Sequence, residues 1–356
     1  MVAVLDADPS SKSYGSVVTV LTVDTAARMP HHTEFSPPTN STSFFANDFG
    51  ADRSWVIDFS TPNKPRVAGR VMAVPGARTM HSFARLPNGH VLATLQFGDG
   101  KLPGNPGALA EFDKTGKLVR SGSSADNAFP SGKIRTYGLV ALPKIDRVVT
   151  TSSPMDDEIA EDVVQVWRLS NLKLLNTVAL PKIEGDSAHR YPFELRSTDG
   201  ETVMLNSYFC GFYRLTELDK TPAIERTGSF NDIGCAVPYT IGKMMVMPVA
   251  YGHRIVTLDM SNPNKPVERS SLAVDSTFFP HWVSGDRGTN RIVVTDQGDG
   301  VPRVMIGIVN TSTGFITWDD KFRDAGSTKP GVSLAEVNWP NGVKGKVMAH
   351  GALFIK

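Results

Sequence analysis

Hydrophobic and polar residues alternate in short runs along the whole chain, and the three-to-four-residue spacing of a helix face is almost absent. The segments WVID, IVTLD, HSFARLPNGHVLATLQ, YGLVALPKIDRVVTTS and CAVPYTIGKMMVMPV each carry one or two such runs. Turn chemistry punctuates them, as where Pro87, Asn88 and Gly89 set a tight hairpin. Only Met155 to Val163, MDDEIAEDV, predicts a turn of helix, as an insertion between strands. The pattern therefore predicts an all-β fold without long crossover helices.

The strands recur in a fixed phrase. DFSTPNKPRVAG (Asp58 to Gly69) and DMSNPNKPVERS (Asp259 to Ser270) nearly repeat one another, each after an alternating strand and before a second extended run. Weaker copies lie near Leu5, Glu111, Val166, Tyr213 and Gly307. Seven hairpins at intervals of roughly fifty residues match the period of propeller blades. A second pair of short strands precedes each hairpin, so the expected architecture is a seven-bladed β-propeller occupying residues 1–356 as one domain. The closing blade is shared: the N-terminus supplies outer strands, AHGALFIK supplies an innermost strand, and one strand of that blade is missing at the N-terminal side.

In a propeller the innermost strand of each blade lines the axis, and the residues that begin those strands share one level. Those positions read His350, His32, His81, Tyr137, Tyr191, Cys235 and His281. The chain has 8 histidines, and half of them fall in this register on four consecutive blades. Convergent imidazoles suit copper, iron, zinc or nickel rather than magnesium or calcium. His31 precedes His32 and on a regular strand faces the other way; it joins the cluster only if the strand entry is irregular. Glu34 and Glu194 follow strand starts closely, as candidates to orient a ligand imidazole or to transfer protons. Tyr137 and Tyr191 read as packing residues, His90, His189 and His253 as surface or loop residues.

Composition excludes several classes. Lys+Arg 37 against Asp+Glu 36 leaves no basic footprint for nucleic acid. No apolar run approaches the ~18 to 20 residues of a membrane span, and the N-terminus lacks a secretory pattern. The expected location is the cytoplasm, or the periplasm if the N-terminus has been trimmed. Cys210 and Cys235 read first as two buried thiols, with a bond between neighbouring strands left open. A small-molecule substrate is expected; the sequence does not indicate an oligomeric state.

The runs MPHHTEFSPP, HSFARLPNGHVLAT and VVQVWRLSNLKLLNTVALP with YPFELR, and the closing KFRDAG and AHGALF, resemble the selenium-binding protein and methanethiol oxidase family over most of the chain, in order. The resemblance implies a seven-bladed propeller and, as in the bacterial methanethiol oxidases, a copper centre held by His31 and His32, His81 and His350. His281 in FPHWVS departs from that pattern, and the cysteine-rich motifs tied to selenium are missing, which marks a divergent bacterial-type member. The expected activity is a metal-dependent oxidoreductase, copper first with iron or zinc as alternatives, acting on a small molecule such as a thiol. Two other readings stand beside it: a four-histidine iron(II) oxygenase resembling the carotenoid cleavage dioxygenases, and a non-catalytic propeller that binds metal or peptide.

Overall fold

The computed structural model describes residues 1–24, 28–35, 41–155, 159–298 and 300–355. It is an all-β propeller; the described residues contain two short 3-10 turns and no α-helix. Of the expected helical turn at 155–163, residues 156–158 lie outside the described residues and 159–162 are not helical.

The chain opens with a two-stranded hairpin, β1 (Val2–Leu5) and β2 (Val17–Leu21). Antiparallel sheets follow, each built in sequence order from the axis outward. The first holds β3 (Pro30–Thr33), β4 (Ser43–Asp48), β5 (Arg53–Asp58) and β6 (Arg66–Arg70). The second holds β7 (Ala77–Arg85), β8 (Val91–Gly98), β9 (Ala108–Phe112) and β10 (Leu118–Ser123). The third is β11 (Thr136–Leu142), β12 (Arg147–Ser152), β13 (Val163–Arg168) and β14 (Lys173–Ala179). The fourth is β15 (Pro192–Arg196), β16 (Val203–Ser207), β17 (Gly211–Thr216) and β18 (Ala223–Ser229). The fifth comprises β19 (Tyr239–Ile241), β20 (Met244–Val249), β21 (Arg254–Asp259) and β22 (Val267–Ala273). The sixth comprises β23 (Pro280–Gly285), β24 (Arg291–Asp296), β25 (Arg303–Val309) and β26 (Ile316–Trp318), with β27 (Val332–Ser333) added to β25. A small pair, β28 (Val337–Asn338) and β29 (Lys344–Gly345), stands apart.

Among the described residues the complete blades therefore number six, and the expected count of seven is corrected. All seven predicted hairpins exist, as β1–β2, β5–β6, β9–β10, β13–β14, β17–β18, β21–β22 and β25–β26. The first of them has no paired inner strands. The repeated aspartates explain the phrase: Asp58 and Asp259 end a third strand, Asp113 directly follows one, and each accepts the backbone N–H two residues on, at 2.8, 2.9 and 2.8 Å respectively. That Asx turn fixes the hairpin locally.

Burial grades outward from the axis. Second strands such as β8 and β20 are buried throughout, whereas β6 and β22 are largely exposed. Apolar faces pack blade against blade, for example Phe45 and Val56 of the first sheet on Phe83 and Val91 of the second. The terminal segments fill the sector between sheets six and one. There Ala3, Leu5, Ala349 and Phe354 pack on Val304 and Phe322, while Val2, Leu353 and Ile355 pack on Phe44, Trp55 and Ile57. The closing sector is thus shared by both termini.

Cys210 and Cys235 form a disulfide with Cα atoms 5.0 Å apart, which corrects the reading as separate thiols. It ties the β16–β17 turn to the segment entering the fifth sheet. A bridge closing 25 residues restricts the unfolded chain by about 3 kcal/mol. Reduction, or Cys210→Ala/Cys235→Ala, is expected to lower unfolding free energy by about that amount in a urea titration. An unchanged midpoint would show that the bridge does not constrain the chain. No helix is long and apolar enough to cross a membrane among the described residues.

Candidate metal centre

β3 brings the histidine pair to the axis. Its register with β4 shifts between Pro30 and Thr33, so the strand is irregular there. The His31 and His32 rings consequently lie on the same side, stacked 7° from parallel with centroids 4.3 Å apart. Strand alternation would have separated them; the irregular entry does not. β7 supplies His81, β23 supplies His281, and the C-terminal segment supplies His350.

All five imidazoles converge. His31 Nε2 stands 3.1 Å from His81 Nε2, and His281 Nε2 stands 3.1 Å from His350 Nε2. His32 sits between the two pairs, its ring centroid 4.2 Å from that of His81 and 5.4 Å from that of His350. His31, His32 and His81 hold ring nitrogens within 4.8 Å of one another, and so do His32, His281 and His350. Ligand nitrogens about 2.0–2.1 Å from one ion stand roughly 3 to 3.4 Å apart in octahedral or tetrahedral geometry. The two 3.1 Å pairs already have that separation.

Polar side chains from the neighbouring strands fix this arrangement. Asn47 on β4 accepts the His32 N–H at 2.6 Å and donates Nδ2 to the carbonyls of Met80 and His81 at 2.6 and 3.0 Å. One amide thereby locks the β3 and β7 backbones that carry three of the histidines. Ser82 Oγ lies 2.9 Å from His81 Nδ1 and 3.3 Å from His32 Nδ1. The Tyr137 carbonyl, an acceptor only, is 3.3 Å from His81 Nδ1. That contact places the His81 proton on Nδ1 and leaves Nε2 a lone pair facing the cluster. On the C-terminal segment, Thr295 donates to the His350 carbonyl at 2.9 Å and Trp282 Nε1 to that of Ala352 at 3.1 Å. Gly351 permits the approach: a Cβ there would meet the Trp282 ring at 3.2 Å.

The cluster is buried, which favours the neutral form of its imidazoles. Burial, reinforced by the neighbouring imidazoles, holds His31, His32 and His350 well below the ordinary histidine range. Burial does the same to His81, against the pull of the Tyr137 carbonyl. His32 Nε2 is buried without a hydrogen-bond partner. An orphaned imidazole nitrogen among neutral imidazoles is costly unless something accepts its lone pair. The donor set fits a nitrogen-preferring transition metal.

The remaining predicted residues divide. Glu34 does not join the cluster: Oε1 and Oε2 are both bonded to Arg85, at 2.6 and 2.9 Å, and Oε1 also accepts the Phe45 N–H at 2.9 Å. Burial still pushes its carboxyl upward. Arg85→Ala would leave this carboxylate unpaired in the interior and is expected to cost about 3–5 kcal/mol. Chemical denaturation of Arg85→Ala beside Glu34→Gln/Arg85→Met separates the lost charge pair from lost packing; equal losses would refute the charge argument. Glu194 is fully buried, one oxygen 2.9 Å from Arg196 Nη1 and Oε1 without a partner. Burial outweighs Arg196 and raises it to about 7. Its charge acts on Tyr137, whose ring covers His81 at 3.8 Å.

Tyr191 and Cys235 do not line the axis as expected. Tyr191 precedes β15 with a positive φ of 55° and packs on Phe209, and Cys235 is in the disulfide. Phe193, Ala236 and Val237 fill that side of the axis with Tyr137 and Trp282. His90 binds Glu111, His253 the Phe278 carbonyl, and His189 lies 3.8 Å from Asp162, all away from the cluster. Sequence reasoning missed Asn47, Ser82, Trp282 and Thr295. Only Ser82, adjacent to His81, and Trp282, adjacent to His281, carried any signal.

No protein-family model matches the sequence, and no curated protein matches it. Solved structures do. A hypothetical selenium-binding protein from Sulfolobus tokodaii superposes with TM-score 0.71 at 14% identity, covering 90% of this chain and 86% of that one. The periplasmic gluconolactonase of Pseudomonas aeruginosa gives 0.62 at 12% identity over 86% and 89%. Virginiamycin B lyase from Staphylococcus aureus gives 0.56 at 12% identity over 82% and 83%. At such identities the likeness is one of fold, and it places the chain among the β-propellers.

Proposed function

We propose that His31, His32, His81, His281 and His350 hold a transition metal, copper first, and that the protein is a metal-dependent oxidoreductase acting on a small molecule, with a thiol as the leading candidate. The observation that carries this reading is the buried, unpartnered Nε2 of His32 between two imidazole pairs already at ligand spacing. When bound, copper would supply one-electron chemistry and a Lewis-acidic position for a soft sulfur ligand. The chain's own contribution is to keep the imidazoles neutral, orient them through Asn47, Ser82 and Thr295, and cover one side of the cluster with Tyr137 and Trp282. Glu194, raised toward neutrality, is the better of the two carboxyls for proton transfer, because Glu34 is committed to Arg85.

The fold and these histidines support the selenium-binding and methanethiol oxidase resemblance as a divergent branch, and the terminal sector is read as an incomplete seventh blade. The disulfide favours an oxidising compartment over the cytoplasm. Elemental analysis with electron paramagnetic resonance tests the metal. Near-stoichiometric copper, with a nitrogen-rich spectrum that changes on adding a thiol, is expected. Iron in its place would favour the oxygenase reading, and a protein that takes up neither metal would overturn both.

A further inference from the structure

A polar side chain on the second strand of one sheet reaches the inner-strand backbone of the next. Asn47 on β4 donates to the Met80 and His81 carbonyls, and Thr94 on β8 to Tyr137 at 2.6 Å. Thr151 on β12 donates to Phe193 at 2.7 Å, and Asn206 on β16 to Cys235 and Ala236 at 2.8 and 3.0 Å. Thr295 on β24 makes the same bond to His350 at 2.9 Å. By this rule the C-terminal segment stands where the inner strand of a seventh sheet belongs.

The third and fourth strands of that sheet are β1 and β2. Side chains of β1 and of the C-terminal segment face the same two neighbours. Ala3 and Leu5 share the sixth-sheet side with Ala352 and Phe354, and Val2 shares the first-sheet side with Leu353 and Ile355. Yet the two do not pair. β1 hydrogen-bonds β2 alone, and among the described residues the N–H groups of residues 348–355 have no acceptor. A cavity of about 700 Å³, lined by β1, the C-terminal segment, His31, His32 and His350, runs between them. Two unpaired backbone edges that share the same apolar neighbours on either side are the walls of a strand position, because interior peptide groups need partners.

We propose that this slot takes an extended polypeptide strand from outside residues 1–356, antiparallel to β1, as the second strand of a seventh blade. The sibling second strands describe the occupant. They run from five residues in β16 to eight in β8, are buried on both faces, and carry such an Asn or Thr in five of six cases, four of them in the C-terminal half. The occupant is therefore a segment of about six residues, apolar on both faces, with an Asn or Thr aimed at the β3 backbone that bears His32. Main-chain pairing on both edges supplies affinity, as in strand addition to other open sheets.

The test uses the full chain, with metal removed by chelator so that the metal reading does not enter. The probe is an end-blocked peptide with the β24 sequence RIVVTD, beside the same peptide N-methylated at alternate residues. Expected are 1:1 binding, a rise in Tm of about 3 to 5 °C at a hundredfold excess over Kd, and slowed amide exchange confined to β1 and residues 348–355. The N-methylated peptide should bind at least tenfold more weakly. Failure of the unmodified peptide to bind overturns the proposal. So does equal binding of the two, which would make the slot a pocket for any apolar molecule, or a peptide-independent dimer that protects the same amides, which would make a second copy the occupant.

Discussion

His32→Ala is expected to abolish metal retention, weakening it by at least about 100-fold, while His253→Ala leaves it unchanged. His32 belongs to both groups of convergent imidazoles, and its Nε2 is buried without a hydrogen-bond partner. Its loss removes the one imidazole that both groups share. Ser82→Ala makes a graded companion. Ser82 Oγ contacts Nδ1 of both His81 and His32, so its loss frees two rings without removing a ligand. Groups that orient ligands typically contribute 10–100-fold in metal affinity. Metal content after dialysis against a graded chelator reads both effects. Wild-type loading in His32→Ala would sink the metal centre, and a loss in His253→Ala, whose imidazole binds the Phe278 carbonyl elsewhere, would show that the assay reports misfolding.

The cluster was legible in the sequence because a propeller converts repeat register into spatial convergence. Once His32, His81 and His281 sit on inner strands, the topology brings them together. His31 was not decidable, since the irregularity that turns it inward is a property of the β3–β4 pairing. The supports were hidden for the same reason: Asn47 and Thr295 act across blades, 34 and 55 residues from the carbonyls they hold. Glu34 shows the converse. Two residues from His32 it read as part of the site, but its partner Arg85, 51 residues on, takes both oxygens. The blade count failed for a further reason. A hairpin such as β1–β2 is encoded locally by its Asx chemistry, with Asp6 and Asp8 accepting nearby backbone and serine donors, so it forms whether or not inner strands exist to complete its sheet.

The metal-free protein is expected to lose stability steeply between pH 6.5 and 5. His31, His32, His81 and His350 stay neutral in the fold because burial depresses them, whereas in the unfolded chain each binds a proton near 6.5. Below 6.5 the unfolded state therefore holds more protons, and unfolding free energy falls as pH falls. Each group contributes about 1.4 kcal/mol per pH unit, roughly 5 kcal/mol for four. Two carboxyls act in the opposite sense. Glu194, raised to about 7, takes up its proton in the fold before the unfolded chain does, and Glu34 shifts the same way. They offset at most two of the four, which leaves a net loss of roughly 3 kcal/mol per unit. Against a typical total of 5–15 kcal/mol, that is enough to unfold the chain within a few pH units. Urea titrations at half-unit steps check the slope. Bound metal should move the transition to lower pH, because protons must then displace it from the imidazoles. A flat stability profile from pH 6.5 to 5 in the metal-free protein would mean that the imidazoles are protonated in the fold, and the donor set for the metal would fail with it.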